Sequence, residues 1–200
     1  MSLLVRPIAL EATAAGLLNL AAAVGAAEAA AAVSGVAVSV KWPNDLLIER
    51  ARRGRPGARR EYRKVGGVLV ETAAAGANLA WAVIGVGVNA NVAIADLLPA
   101  VGETAASLHL AAGREIPLDA LLTELCARTD DLLRLLEGAG REEILRRWRA
   151  LDTTPGRSVR AASDPTWRGR ALGVDNRGRL IIRRGRQTMV FASTRGLVIE

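Results

Sequence analysis

Residues that build disulfides and metal sites are almost absent from this sequence. Its 200 residues include one cysteine, Cys126, and one histidine, His109. A single thiol excludes an internal disulfide and fits a reducing compartment. A lone histidine has no Cys or His partner with which to bind a metal ion. Because Cys126 lies in a leucine-rich helical pattern, we expect a buried core thiol rather than a nucleophile.

Aromatic side chains are also scarce, at 3% of the sequence, whereas hydrophobic residues make up 50%. That proportion is typical of a globular protein and argues against a disordered chain. The length is enough for one good-sized domain, or for one domain with a small appendage.

Long uninterrupted hydrophobic runs are lacking. Residues 9–33 are rich in alanine, but Glu11, Asn19 and Glu28 interrupt them, whereas a membrane-spanning helix needs about 20 consecutive, mostly apolar residues. No clean cleavage pattern for a signal peptide follows Arg6. We therefore expect a buried helix packed against a sheet, no membrane segment and a cytoplasmic location.

The charge is unbalanced, with 27 basic and 20 acidic residues and a net charge of +7. Much of the excess lies in residues 50–64, where Gly54, Pro56 and Gly57 favour a solvated loop. A basic run can also bind nucleic acid or an acidic protein. Because this run has no interleaved aromatic residue beyond Tyr62 and no nucleic-acid-binding motif, we prefer the loop.

Three β-type segments carry polar residues that an ordinary core strand would lack. In the first, Val36, Val38 and Val40 alternate with smaller or polar residues, as in a strand. Lys-Trp-Pro-Asn-Asp at 41–45 then breaks the pattern, because proline lacks a backbone donor and Asn and Asp form turns. Apolar residues 46–48 resume a strand. We predict a hairpin with Lys, Asn and Asp at its bend, and a plain sheet corner is the alternative.

The second segment, residues 64–71, reads Lys-Val-Gly-Gly-Val-Leu-Val-Glu. Paired glycines in a β-branched strand let another backbone or a ligand approach closely. Lys64 can act there as a point charge for a phosphate or a carboxylate, and the plainer alternative is an exposed lysine at a strand start. The third segment, residues 84–89, places two more glycines in an apolar strand that ends at Asn89.

Helices are predicted after these strands. Residues 104–112 fit a short helix with Thr104 as a possible cap. Leucines at helical spacing predict a core-facing helix over 118–136, with Gly138 as its stop. A further helix is predicted over 141–151.

The composition changes after Asp152. Residues 153–156 form a linker or turn, and short β runs follow at close spacing. The sequence Asp-Asn-Arg-Gly at 175–178 is a hairpin signal. We therefore predict a first domain over 1–152 and a small C-terminal β-barrel domain over 153–200.

The three β-type segments together, in this order, resemble the biotin protein ligase family. The motif at 41–46 is the most specific of them, and the similarity extends along nearly the whole chain. The resemblance implies an α+β fold in which a mixed sheet is flanked by helices, related to class II aminoacyl-tRNA synthetases, with a small C-terminal β-barrel.

The resemblance also implies an activity. Family members use ATP, with Mg²⁺, to join biotin to a lysine of a biotin carboxyl carrier protein through biotinyl-5'-AMP. The carrier is then the acyl acceptor, and a homodimer formed through the sheets is left open.

Roles for individual residues follow only from the resemblance. Lys64 contacts the biotin carboxylate and the phosphate, where a cation stabilises developing negative charge. Asp45 orients the incoming lysine amine or helps to take its proton, and it could also help to hold the adenylate or Mg²⁺. No residue is assigned as a metal ligand. The remaining assignments are Gly67 and Gly85 to biotin, and Lys41, Asn44 and Asn89 to the nucleotide.

The sequence departs from the family in one respect. Upstream of the matching region, family members carry a Gly/Arg-rich loop that closes over biotinyl-AMP, and this sequence has no such loop. We therefore expect a partial catalytic domain, with impaired activity as one expectation. The helix-turn-helix domain of the family's repressors is missing too, so DNA binding through it is not expected.

Two alternative functions stay open. One is a ligase of the lipoate or octanoate type, which also acylates carrier lysines. The other is a non-catalytic protein that binds carrier domains or a partner chain, in which case exposed sheet edges would pair with another chain.

Overall fold

A computed structural model describes residues 1–6, 10–50, 61–93, 104–164 and 166–200. Most of the basic run predicted as a loop, residues 51–60, lies outside the described residues.

Five strands form the first sheet, paired in the order β1-β5-β4-β3-β2. Each neighbouring pair is antiparallel, and among the described residues parallel pairing is limited to the isolated bridges Val40–Asp152 and Lys64–Ala105. The α+β class is therefore confirmed. The strands are β1 (Ser2–Val5), β2 (Val38–Lys41), β3 (Asp45–Arg50), β4 (Glu61–Ala75) and β5 (Asn78–Val88).

Helices cover one face of this sheet. Helix α1 packs against it and is itself covered by α3 and α4. By length and composition α1 could cross a membrane, but 67% of its apolar window is buried inside the protein, so it is the buried helix that the sequence predicts. The helices are α1 (Ala15–Ser34), α2 (Leu108–Ala112), α3 (Leu118–Glu137) and α4 (Arg141–Leu151).

Three details of the helices differ from the sequence predictions. Helix α2 begins at Leu108 rather than near Thr104, because the Thr104 carbonyl instead accepts a hydrogen bond from the backbone of Lys64. Cys126 is exposed rather than buried. Leu118 and Leu122 are also exposed. These three residues are spaced four apart, so the apolar stripe of α3 is wider than the part that α1 covers.

The second sheet confirms a small C-terminal β domain. Its five strands pair antiparallel in the order β10-β6-β7-β8-β9. Its buried side chains, such as Val159 and Ile182, belong to the same core cluster as those of the first sheet, so the division at 152/153 stays a prediction. The strands are β6 (Ser158–Ala161), β7 (Arg168–Val174), β8 (Leu180–Arg184), β9 (Gln187–Phe191) and β10 (Leu197–Ile199).

Candidate active site

The bend between β2 and β3 is the predicted hairpin. Lys41 and Asp45 face each other across it as the last pair of the ladder. Residues in register point to the same face of a sheet, and their side chains are close enough to interact. Lys41 Nζ lies 3.0 Å from Asp45 Oδ2. The hairpin therefore forms one half of a charge cluster.

Lys64 completes this cluster from β4. Its Nζ donates a hydrogen bond of 2.5 Å to Asp45 Oδ1, so each carboxylate oxygen binds one lysine. Burial opposes ionisation of Asp45, but the hydrogen bond from Lys64 and the charge of Lys41 outweigh it and lower the pKa of the carboxyl. Asp45 is therefore an anion at neutral pH and a weak proton acceptor.

A β-bulge brings Lys64 to Asp45. Opposite β3, Leu46 pairs with Gly66 but Leu47 pairs with Lys64, so Val65 is the extra residue. Without the bulge Lys64 would lie opposite Ile48, on the other face of the sheet, because side chains alternate along a strand. The displaced backbone of Lys64 is held by hydrogen bonds with Thr104 O (2.8 Å) and Ala106 N (2.7 Å).

Lysine composition marks the same place. The sequence contains 25 arginines and only two lysines, and both lysines bind Asp45. Lysine is a compact point charge with a flexible stem, and arginine is a planar fork, so the two are not interchangeable at such a site. The composition alone could have singled out Lys41 and Lys64.

A glycine-lined cleft of about 460 Å³ opens on one side of Lys64. Gly67 and Gly87 face each other across β4 and β5 in its wall, and a Cβ added at Gly87 would have no heavy atom closer than 4.0 Å. The missing side chains therefore leave room for a ligand beside the lysine. The other lining residues are Gly66, Val88, Asn89, Thr104 and Ala105.

The sequence assigned the glycines only in part. Gly66 has a structural role, since a Cβ there would collide with the carbonyl oxygen of Gly87. Gly85 lies opposite Leu69, beyond the lining of the cleft. Gly87 lines the cleft, although the site assignment was to Gly85.

A second, charged cleft of about 760 Å³ lies on the other side of Lys64, between the two sheets. Lys41, Asp45 and Lys64 line it from the first sheet. Thr153, Arg157 and Glu200 are among the residues that line it from the C-terminal part. Lys64 lines both clefts, so one cation can contact ligands bound on either side of it.

Both asparagines assigned to the nucleotide donate side-chain hydrogen bonds to backbone carbonyls. Asn44 Nδ2 donates to Val68 O at 2.6 Å, and Asn89 Nδ2 donates to Ala106 O at 3.0 Å. Asn89 also lines the glycine cleft, whereas Asn44 lines neither cleft. Each asparagine thus fixes a segment that supports the lysines, and their assignment to the nucleotide stays a prediction.

The bend is anchored to the C-terminal part through Trp42, which the sequence analysis gave no role. This side chain is 2% exposed. Its backbone NH donates to Thr154 Oγ1 at 2.7 Å, and its indole NH donates to Gly178 O at 2.9 Å. Because Pro43 O also accepts a hydrogen bond from Asn19 on α1, the bend is fixed from two sides.

The first 89 residues have a recognisable sequence pattern. Residues 2–89 match the biotin/lipoate A/B protein ligase family. The chain is also 29% identical over 184 residues to the bifunctional ligase/repressor BirA of Bacillus spizizenii and to that of Bacillus subtilis. The first part of this chain is therefore similar to the biotin/lipoate A/B protein ligase family. Those alignments cover 91% of this chain and 52% of each BirA, so the chain spans about half the length of the curated relatives it matches.

Solved structures of biotin protein ligases have a similar fold to this chain. The apo biotin protein ligase of Aquifex aeolicus matches with a TM-score of 0.79 at 19% identity, over 100% of this chain and 81% of that one. The same ligase in complex with biotin and ATP matches with a TM-score of 0.75 at 19% identity, over 100% and 76%. A biotin protein ligase-like protein of unknown function from Silicibacter matches with a TM-score of 0.73 at 19% identity, over 96% and 76%. At these identities the likeness shows a common fold.

Proposed function

We propose that this protein attaches biotin to a lysine of a biotin carboxyl carrier protein in an ATP-dependent reaction through biotinyl-5'-AMP. The observation that carries the proposal is the position of Lys64, which lines both a glycine-lined cleft and a charged cleft. A carboxylate in the first cleft and a phosphate in the second would meet at this cation.

In the first step, a biotin carboxylate oxygen attacks the α-phosphorus of ATP and pyrophosphate leaves. Both reactants are anions, so a fixed cation between them lowers their repulsion and stabilises the charge of the transition state. Lys64 and Lys41 supply this positive charge. Gly67 and Gly87 keep the wall beside Lys64 free of side chains, and we propose that biotin lies there. Gly85 stays a proposal for a more distant part of biotin.

In the second step, the carrier lysine attacks the acyl carbon, AMP leaves and the amide nitrogen loses a proton. A carboxylate with a lowered pKa is a weak base. Asp45 therefore fits the role of holding the incoming amine better than that of removing its proton. Lys41, Asn44 and Asn89 remain the candidates for the nucleotide side.

The described residues provide few side chains that could bind Mg²⁺. Among the described residues no group of three or more His, Cys, Asp or Glu side chains could hold a metal ion, and Asp45 is already bound by two lysines. Mg²⁺ commonly binds through substrate phosphates, so it would arrive with ATP rather than bind a protein-built site.

The test is transfer of biotin to a carrier domain, read as the mass of the carrier after incubation with the protein, biotin and Mg-ATP. We expect a biotin-sized mass gain with the wild-type chain and none with Lys64→Ala. Arg63→Ala is the matched control, because it removes a positive charge from the adjacent residue, which is paired with Glu61. Equal transfer by wild type and Lys64→Ala would contradict the assignment of Lys64.

The same assay separates the alternatives. The matching family contains both biotin and lipoate ligases, so the assay is repeated with lipoate and octanoate in place of biotin. Transfer of one of these acids and not of biotin would favour a ligase of the lipoate or octanoate type. Carrier binding without transfer of any acid would favour the non-catalytic protein.

A further inference from the structure

The net charge of the chain comes wholly from its C-terminal part. Residues 153–200 contain ten arginines and three acidic residues, which gives a net charge of +7. Residues 1–152 contain 17 basic and 17 acidic residues. The basic run at 50–64 is thus balanced by acidic residues elsewhere in the first part, and the protein's excess positive charge belongs to the second sheet and its turns.

Two of these arginines lie side by side on the outer face of that sheet. Arg170 on β7 is directly opposite Arg183 on β8. The next pair, Ala171 and Ile182, is fully buried, so alternation places Arg170 and Arg183 on the opposite face, and both are exposed. Like charges directly opposite each other destabilise a sheet. Among the described residues, neither guanidinium forms an ion pair with a carboxylate.

This outer face is partly apolar. Val190 on β9 is 46% exposed, and it pairs with Ile181, two residues before Arg183 on the same face. Leu172, next along β7, is 42% exposed. Arginine interspersed with apolar side chains is typical of protein–protein interfaces, whereas binding to a phosphate backbone relies on charge. The composition favours a protein partner.

Two further arginines, Arg160 and Arg168, are linked to the charged cleft through Glu200. Glu200 lines that cleft, and its carboxylate binds Arg160 at 2.7 Å and Arg168 at 3.4 Å. Arg168 and Arg170 are two residues apart on β7 and so share a face. We call Arg168, Arg170 and Arg183 the arginine row. It starts at Arg168, which binds the cleft-lining Glu200, and crosses the outer face of the second sheet.

We infer that the arginine row docks an acidic surface of the acceptor protein, next to the lysine that enters the charged cleft. The inference rests on the proposed function, because it takes the second substrate to be a protein. Complementary charge would orient this substrate and speed its encounter with the cleft. Removing or reversing the charges of the row would then weaken binding of the acceptor protein and leave the first step of the reaction unchanged.

The experiment compares wild type with the double variant Arg170→Glu/Arg183→Glu. The control, Arg177→Glu/Arg195→Glu, makes the same change in net charge at exposed turn residues. We expect the first variant to raise the KM for the carrier domain by about tenfold or more and the control to leave it near the wild-type value. Biotin-dependent exchange of pyrophosphate into ATP needs no carrier, so it should be equal in all three proteins. The wild-type KM should rise with salt, and that of the row variant should not.

Binding of the carrier domain is measured in parallel by calorimetry, so that docking is decided even if turnover fails. A wild-type protein that neither exchanges pyrophosphate nor transfers biotin contradicts the proposed function, and loss of carrier binding in the row variant alone still supports docking. Equal carrier binding and equal KM in both double variants would overturn the inference. Duplex DNA binding that the row variant loses, with carrier binding unchanged, would overturn it in favour of nucleic acid.

Discussion

Two carboxylates near the end of β2, those of Asp45 and Asp152, have pKa values shifted in opposite directions. Asp45 pairs with Lys41 across the bend, and Asp152 forms a bridge with Val40, the preceding residue. The pKa of Asp45 is lowered, since its lysines outweigh the effect of burial. The pKa of Asp152 is raised, because burial dominates the hydrogen bonds from Thr154 and Trp148 and the charge of Arg157.

The difference lies in the partners rather than in the residue type. Cationic partners keep a part-buried carboxylate ionised, whereas mainly neutral donors satisfy its oxygens without offsetting the cost of burying its charge. Asp45 is thus suited to electrostatic work on a substrate. Asp152 receives hydrogen bonds from Trp148 Nε1 (3.1 Å) and Thr154 N (2.8 Å), and it fixes the segment that anchors Trp42.

The largest effect should come from breaking the Asp45 side of the comparison. Asp45→Asn keeps the shape but removes the charge that orients both lysines, so we expect transfer from preformed biotinyl-AMP to slow by about 100-fold or more. The measurement is single-turnover transfer to the carrier. Glu71→Gln, at an exposed carboxylate on the same strand as Lys64, is the control. A rate within about twofold of wild type would show that the charge of Asp45 is not used.

A pair of glycine substitutions extends the contrast between chemistry and architecture. Gly66→Ala should destabilise the fold by about 1–3 kcal/mol, since its Cβ collides with the backbone of β5. Gly87→Ala has open space, so it should leave stability near wild type and weaken biotin binding. Denaturant unfolding and biotin titration measure the two effects. The same stability loss in both variants would remove the distinction.

The smallest expected effect is the change with pH in how much each carboxylate contributes to folding stability, and it tests the pKa contrast directly. A raised pKa in the folded state means that the contribution of Asp152 is complete below the ordinary value of 3.8 and falls as pH rises through the folded pKa. A lowered pKa means that the contribution of Asp45 is present above 3.8 and is lost as pH falls through the folded pKa.

Asp152→Asn should therefore cost about 1–3 kcal/mol in acid, through its lost hydrogen bonds, and less as the pH rises. The cost of Asp45→Asn should instead shrink as the pH falls. Urea unfolding of both variants and wild type across the acid range checks this. Parallel curves for the two variants would mean that the carboxylates do not differ as the structure indicates.

Local patterns were sufficient to predict much of the fold. The bend at 41–45, the helix at 141–151 and the helix ending before Gly138 follow from turn residues, apolar spacing and stop signals that act within a few residues. The exposure of Cys126 could not be predicted this way, because it depends on how much of α3 the neighbouring helix covers.

The site was predictable in its residues but not in its geometry. Lys41, Asp45 and Lys64 were all selected from their motifs, and the structure brings them together. What brings Lys64 to Asp45 is the bulge at Val65, which depends on the register against β3 and leaves no mark in the sequence of β4 alone. Gly66 and Gly67 likewise look equivalent in the sequence. In the structure a Cβ at Gly66 would collide with the neighbouring strand, whereas Gly67 lines the glycine cleft.

The scarcity of lysine makes the site chemically addressable. Because Lys41 and Lys64 are the only lysines in the chain, amine-reactive reagents have no other side-chain amine to modify. A reagent that acylates primary amines would therefore act as a footprinting probe whose side-chain labels report solely on the surroundings of Asp45, and protection of those labels by a bound ligand could be read from the mass of the intact protein.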